Sequence, residues 1–258
     1  MYSTLDAIPS LKGKVSPEEW QLRVDLAAAY RALGLEPGDR IASLMPNRDA
    51  LFLHYIACMK AGLVAVPLNY RYGPNAIDEH LRQAGVKAFL VHGERSHDVE
   101  ACPAVLDLTV IGYESGDTFE HRFEAMLDRE GAIEAAPRAP DDPAAIFFTS
   151  GSTGAPKGVT HTFGSMGWMF AILADGFEMT ADDVMLPGSS CSHIGGFLFG
   201  FAALAAGARL VVAERYNGDE ILALFRQERP TVLCMIPAAL FEVVRHPDAK
   251  PDDFASLR

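Results

Sequence analysis

The sequence lacks the features that mark several large protein classes. Its four cysteines (Cys58, Cys102, Cys191 and Cys234) are widely separated and form no CxxC pair. Neither a zinc site nor a disulfide framework is therefore indicated. The first residues also lack a charged segment followed by a long apolar run, so the sequence shows no secretion signal. We expect a protein of the reducing cytoplasm.

Basic residues are scarce as well. The 258 residues include 22 Lys and Arg against 34 Asp and Glu, a formal net charge of −12. Because no basic stripe interrupts this acidic balance, a nucleic-acid partner is disfavoured, whereas small anionic ligands need only local positive potential. A hydrophobic content of 49% with 22% charged residues is typical of a globular protein. The length of 258 residues suits one large domain or two small ones.

A long apolar run is also missing. No Asp, Glu, Lys or Arg occurs between Asp183 and Arg209, but the apolar part of this interval, 194–208, has only 15 residues. A membrane span needs about 20 predominantly apolar residues. The interval therefore predicts a buried core helix with a polar loop in front of it, and no transmembrane segment.

Helix and strand signals alternate along the chain. The predicted strands are 40–45, 64–66, 86–91, 145–149, 184–186, 208–213 and 231–236. The first predicted helix starts at a capping box, 16–19, and ends near Gly34. The other predicted helices cover 47–61, 75–84, 163–174, 196–206, 218–227 and a segment from 238. This alternation indicates an α/β fold with layered, mostly parallel sheets and flanking helices. Trp168, with Met166, Met169 and Phe170, is interpreted as core packing.

A stretch rich in Ala, Pro and acidic residues, 130–143, is the best linker candidate. It predicts a first α/β subdomain over residues 1–140. The second subdomain, 141–258, then contains the most informative loop of the chain.

That loop lies within residues 147–159, FFTSGSTGAPKGV, where an apolar strand leads into three glycines, four hydroxyl side chains and one lysine. Glycines let backbone N–H groups face an anion, hydroxyl groups donate further hydrogen bonds, and Lys157 supplies a charge, so the composition suits a polyphosphate. The spacing matches neither a Walker A loop nor a dinucleotide GxGxxG loop. From composition alone, a surface loop with a solvated lysine remains an equal alternative.

The segment from Thr149 to Val159 resembles, without a break, the signature of the AMP-forming acyl-CoA synthetase, adenylation-domain and luciferase superfamily, Thr-Ser-Gly-Ser/Thr-Thr-Gly-x-Pro-Lys-Gly-Val. Residues 38–47, 60–69 and 186–212 are also similar to conserved regions of these adenylate-forming enzymes, so the resemblance covers nearly the whole chain.

The resemblance implies that a carboxylic acid is activated with ATP and Mg²⁺ to an acyl-adenylate, and that coenzyme A then displaces AMP to give a thioester. The loop residues that it assigns to the β- and γ-phosphates of ATP are Thr149, Ser150, Gly151, Ser152, Thr153, Gly154 and Lys157. Thr153 is also the candidate neighbour of Mg²⁺.

The same resemblance places an acyl pocket around residues 191–197, where His193 orients the acyl group or gates its tunnel and Phe197 and Leu198 line the wall. Gly195 is a further residue of this pocket. A hydrogen-bonded core or capping histidine is the alternative for His193. Ser192 replaces the aromatic residue that commonly precedes this histidine. The charge-free interval 184–208 lacks the aspartate that amino-acid-activating domains use to pair with an ammonium group, which favours a fatty or aryl acid.

The adenine-binding, ribose-binding and catalytic-lysine motifs of the family do not occur within residues 1–258. We therefore expect the N-terminal portion of such a ligase, truncated as a gene product or by design, that holds a half-site and is inactive alone. The alternative is a catalytically inactive, stand-alone binding or interaction module of the same fold.

Overall fold

The computed structural model describes residues 26–128, 131, 133–149 and 156–258. The predicted capping box at 16–19 lies outside these residues. The described chain forms two compact units, the first made of residues 26–46 and 50–166 and the second of 47–49 and 167–258, with the gaps just given. The sequence-based boundary near residue 140 stays a prediction; in the contact pattern, the strands on both sides of the Gly/Ser/Thr loop belong to the first unit.

The first unit is built on a sheet with the strand order β5-β4-β3-β1-β2-β6-β7 in the described chain. These strands are β1 (Arg40–Leu44), β2 (Val64–Pro67), β3 (Ala88–His92), β4 (Thr109–Tyr113), β5 (His121–Arg122), β6 (Pro143–Thr149) and β7 (Lys157–Thr162). All neighbouring pairs are parallel except β6 and β7, which are antiparallel. The predicted α/β class with a mostly parallel sheet is confirmed.

Helix α1 (26–32 in the described chain) precedes β1. The helices between the strands are α2 (Asp49–Ala61), α3 (Pro74–Ala84), α4 (Ser96–Glu100) and α5 (Phe123–Leu127), with short 3₁₀ turns at Gly93–Arg95 and Pro103–Asp107. Helix α3 starts with a proline and ends at Gly85, whose φ of 60° is the left-handed conformation that glycine adopts most easily.

The core of the first unit lies between the sheet and its helices. In β1, every residue after Arg40 is buried, which is expected of a parallel strand covered on both faces. Phe89 of β3 is fully buried among Leu81 of α3 and Ile146 of β6. Removing such an aromatic side chain from water contributes about 1.5–3 kcal/mol.

The second unit contains a parallel sheet with the order β10-β8-β9. Its strands are β8 (Val184–Gly188), β9 (Arg209–Leu210) and β10 (Val232–Met235); its helices are α6 (Phe163–Gly176, in this unit from Gly167 on), α7 (Ile194–Ala206), α8 (Gly218–Glu228) and α9 (Pro237–Val244). A 3₁₀ turn follows at Pro251–Phe254. Helix α7 is the predicted core helix, with Phe197, Phe201 and Ala202 buried, and it ends at Gly207 with φ 90°.

Two sequence-based expectations for this region were wrong. The predicted strand 208–213 is shorter, since β9 ends at Leu210. After it, the N–H groups of Glu214 and Arg215 bind the Glu220 carboxylate (2.7 and 3.0 Å). Trp168 is not core: 71% of it is exposed, whereas Met166 on the same helix is buried. Among the described helices, all are too short or too polar to cross a lipid bilayer.

The Asp183 carboxylate, just before β8, joins several segments of the second unit. It accepts hydrogen bonds from Arg258 Nε and Nη2 (2.8 Å each), from Thr231 Oγ1 (2.7 Å) and from the N–H and Oγ1 of Thr180 (2.8 and 3.1 Å). The Arg258 guanidinium is the largest cause that holds the pKa of this carboxyl well below its ordinary 3.8. The ionised form of Asp183 therefore stabilises the folded unit.

Replacing Asp183 by asparagine tests this arrangement. At neutral pH, Asp183→Asn is expected to lower the free energy of unfolding by about 1.5–3 kcal/mol, because the amide loses charge-assisted hydrogen bonds. Since the folded-state pKa is depressed, the advantage of the wild type is complete above the ordinary value of 3.8 and shrinks as the pH falls below it. Urea unfolding at a series of pH values measures both effects.

The exposed neighbour Asp182 supplies the control. Asp182→Asn is expected to change the free energy of unfolding by less than about 0.5 kcal/mol. Equal losses in the two variants, or a wild-type advantage that grows on acidification, contradict the assignment.

Candidate functional site

The predicted phosphate loop connects two antiparallel neighbours. β6 ends at Thr149 and β7 begins at Lys157, and these two residues are directly opposite each other in the ladder. Thr149 Oγ1 donates to the Lys157 carbonyl oxygen at 3.4 Å. The other predicted loop residues (Ser150, Gly151, Ser152, Thr153 and Gly154) lie outside the described residues. The structure therefore shows the base of the loop, with its hydroxyl and its lysine side by side.

Sequence analysis did not assign β7, and the motif glycine Gly158 lies in it. A Cβ at this position would approach Ile146 Cγ2 of β6 to 3.0 Å, closer than side chains normally pack. The absence of a side chain at Gly158 thus leaves room for the Ile146 side chain, which lies diagonally across the ladder.

Thr149 lies at the carboxyl end of β6, which is parallel to β2 and thereby to β1 and β3. In open α/β sheets, ligands bind beyond the carboxyl ends of the strands. Both Thr149 and Lys157 are exposed there, so their hydroxyl and ammonium groups are accessible to an anion.

The described residues contain no group of three or more His, Cys, Asp or Glu side chains placed to bind a metal ion. Thr153, the predicted neighbour of Mg²⁺, lies outside those residues. The magnesium assignment stays a prediction from the sequence.

The predicted acyl-pocket residues belong to the second unit, whereas Thr149 and Lys157 belong to the first. A polar loop, 189–193, joins β8 to α7. Asn47 Oδ1 accepts a hydrogen bond from Cys191 N at 2.9 Å, and the Tyr216 hydroxyl donates to the Ser189 carbonyl oxygen. Neither contact is predictable from a local sequence pattern, because each side chain binds a backbone atom far away in the chain.

Gly196, in the first turn of α7, packs directly under this loop. A Cβ on Gly196 would lie 2.4 Å from the Ser190 carbonyl oxygen and 2.7 Å from that of Ser189. A Cβ on Gly195 would meet only Ser189 Oγ, at an ordinary 3.6 Å. The loop therefore follows a path that only glycine at position 196 permits.

His193 precedes α7 and is exposed, while Phe197 is fully buried. The surrounding protein removes part of the hydration of His193, which lowers its pKa below 6.5. The imidazole is therefore neutral at pH 7. Phe197 packs against Phe201 and Phe170, with ring centroids 4.6 and 6.1 Å apart. The pocket roles of His193, Gly195 and Phe197 stay predictions.

Cys191 lies in the loop 189–193, two residues before His193, but it is not an activated nucleophile. Its side chain is fully buried, and burial raises the pKa of the thiol to about 12. A thiol with this pKa is protonated at pH 7. Because the thiolate is the reactive form, Cys191 is not a nucleophile there. Cys191 is therefore a small core residue.

Comparison with known proteins gives a consistent result. A family model described as AMP-binding enzyme matches residues 17–258. The fatty acid–[acyl-carrier-protein] ligase ScoC of Streptomyces coeruleorubidus is 30% identical over 237 residues, which are 90% of this chain and 45% of that protein. The indoleacetate–CoA ligase of Aromatoleum aromaticum is 29% identical over 239 residues, 90% and 46% of the two chains. The chain thus spans about half the length of the curated relatives it matches.

Solved structures show the same fold. A benzoate CoA ligase from Burkholderia xenovorans superposes with a TM-score of 0.83 at 23% identity and covers 93% of this chain and 48% of its own. ATP-bound MatB from Rhodopseudomonas palustris gives a TM-score of 0.83 at 23% identity, with 99% and 54% covered. At these identities the likeness establishes the architecture alone.

The two adjacent glycines of α7 provide a matched test of the loop path. Gly196→Ala is expected to lower the free energy of unfolding by about 1–3 kcal/mol, because its Cβ overlaps carbonyl oxygens that cannot move without displacing the loop. Gly195→Ala is expected to be neutral or to stabilise by up to about 1 kcal/mol, since alanine favours the helix. Urea unfolding of both variants measures the difference. Indistinguishable stabilities would show that the loop does not lie against Gly196.

Proposed function

Because the chain belongs to the family of AMP-binding enzymes, we propose that it serves the ATP-dependent activation of a fatty or aryl carboxylic acid. A carboxylate oxygen attacks the α-phosphorus of ATP, the bond to the bridging oxygen breaks, and pyrophosphate leaves. The sulfur of coenzyme A then attacks the acyl carbon of the adenylate, and AMP leaves as the C–O bond breaks. Relatives named as acid–CoA and acid–carrier-protein ligases support this chemistry.

The observation that carries the proposal is the pairing of Thr149 with Lys157 at the base of the loop. Two anions, the acid and the triphosphate, must approach each other in the first step. Phosphoryl transfer is accelerated mainly by positioning and by neutralising charge on the phosphate oxygens. The exposed Lys157 ammonium supplies positive charge in a chain whose net charge is −12. The Thr149 hydroxyl beside it can exchange its long hydrogen bond to the Lys157 carbonyl oxygen (3.4 Å) for one to a phosphate oxygen.

The class of acid is inferred from the second unit. The interval 184–208, which forms β8, the loop 189–193 and α7, contains no charged residue. A substrate ammonium buried there would have no counter-charge, and an unpaired buried charge costs several kcal/mol. The fully buried Phe197 and the neutral, exposed His193 suit an acid without an amine.

We further infer that residues 1–258 supply only half of the complete catalytic site. The chain spans about half the length of the relatives it matches. The loop at Thr149 and Lys157 and the segment at His193 then bind parts of ATP and of the acid, without completing the reaction alone.

Removing the lysine tests the nucleotide site. Lys157→Ala is expected to weaken the binding of ATP in the presence of Mg²⁺ by about 10- to 150-fold, because one charge-assisted contact of about 1.5–3 kcal/mol is lost. Isothermal titration calorimetry on the 258-residue chain measures this change.

Lys87 is the matched control. It directly precedes β3 and so lies at the amino ends of the parallel strands, whereas Lys157 lies at their carboxyl ends. The Lys87 ammonium pairs with the Asp39 carboxylate at 2.7 Å. Lys87→Ala is expected to leave ATP binding unchanged and to cost at most about 1 kcal/mol of stability. If the two lysine variants bind ATP equally well, Lys157 is not part of the nucleotide site.

An exchange assay tests the half-site proposal. The 258-residue chain is expected to bind ATP but to catalyse no carboxylate-dependent exchange of pyrophosphate into ATP, with short-chain, long-chain or aryl acids. Labelled pyrophosphate measures the exchange, and the indoleacetate–CoA ligase with its own acid is the positive control. Exchange by this chain would refute the half-site, whereas a failure to bind ATP would favour the inactive interaction module.

A further inference from the structure

Helix α3 contacts the chain on both sides of segment 150–155. On the β6 side, the ring of Phe148 lies edge-on to the ring of His80, with centroids 4.4 Å apart. Tyr72 stacks on His80 at 4.6 Å. His80 Nδ1 donates to the Ala76 carbonyl oxygen of its own helix, which fixes the orientation of the imidazole. The residue before Thr149 is thereby packed against α3.

On the β7 side, the contact is a hydrogen bond. Gln83 Nε2 donates to the Pro156 carbonyl oxygen at 2.9 Å. His80 and Gln83 are three residues apart and therefore lie on one face of α3. A single helix face thus contacts both strands where they meet the loop.

The Pro156 carbonyl oxygen belongs to the same planar peptide as the N–H of Lys157. A hydrogen bond that fixes this carbonyl therefore fixes the orientation of the peptide from which the Lys157 side chain departs. The side chain of Gln83 is exposed, and Pro156 is half-buried. Water can therefore replace the amide when it is removed, so the contact orients the peptide between Pro156 and Lys157 more than it stabilises the fold.

We propose that Gln83 is a positioning residue for ATP binding, acting through the Pro156 carbonyl on Lys157. The inference rests on the proposed function, because it assigns the loop to the ATP phosphates. Gln83 itself does not contact the nucleotide in this assignment. Its effect arises from holding the last peptide of the loop in the orientation that presents the ammonium group.

The test compares three variants of the 258-residue chain. Gln83→Met removes the donor without adding charge and is expected to weaken the binding of ATP with Mg²⁺ by about threefold to tenfold. Gln83→Lys keeps a donor of sufficient length and is expected to bind within twofold of the wild type or more tightly. Gln227→Met, the same change at an exposed position of α8, is the control and is expected to bind as the wild type does.

Two measurements separate positioning from general destabilisation. Calorimetry gives the affinity, and hydrogen exchange of a peptide covering 149–158 is expected to be faster in Gln83→Met, with urea unfolding unchanged within error. Unchanged affinity in Gln83→Met, equal weakening in Gln227→Met, or no recovery in Gln83→Lys overturns the positioning role. If the wild type binds no ATP, the proposed function fails, and this inference fails with it.

Discussion

The antiparallel register between β6 and β7 is the constraint on which the candidate nucleotide site depends. With Thr149 opposite Lys157, the hydroxyl and the ammonium group start from neighbouring positions at one end of the ladder. Side chains alternate between the two faces of a strand, so a slip of one residue would place Lys157 on the other face. In this register, the missing Cβ of Gly158 leaves room for the Ile146 side chain of β6.

The sheet beneath this hairpin supplies the rigid support. The buried run of β1 and the fully buried Phe89 place the parallel strands in a core covered on both faces. Because β1, β2, β3 and β6 are parallel, their carboxyl ends lie at the same edge of the sheet. A loop on such a base can present backbone N–H groups and side chains to a ligand while the strands remain fixed.

Much of this arrangement is readable from sequence, and the exceptions have physical reasons. Apolar strands followed by capped, amphipathic helices give strong periodic signals, as for β1 and α3, and the glycine-, hydroxyl- and lysine-rich loop is recognisable by composition. β7, with the sequence KGVTHT, has little apolar alternation and gains its conformation from pairing with β6. Trp168 lies on a strongly apolar helix, but local sequence does not reveal which side of that helix meets the core. Gln83, Asn47 and Tyr216 act on distant backbone atoms, which no local pattern encodes.

The loop before α7 is held by its main chain. Asn47 binds the Cys191 amide, Tyr216 binds the Ser189 carbonyl oxygen, and Gly196 admits the loop's path. None of these restraints involves the identity of the side chain at position 193, which is exposed. A different side chain at position 193 therefore leaves the course of the backbone beneath it unchanged. The path of the loop and the chemistry exposed on its surface are thus set by different residues.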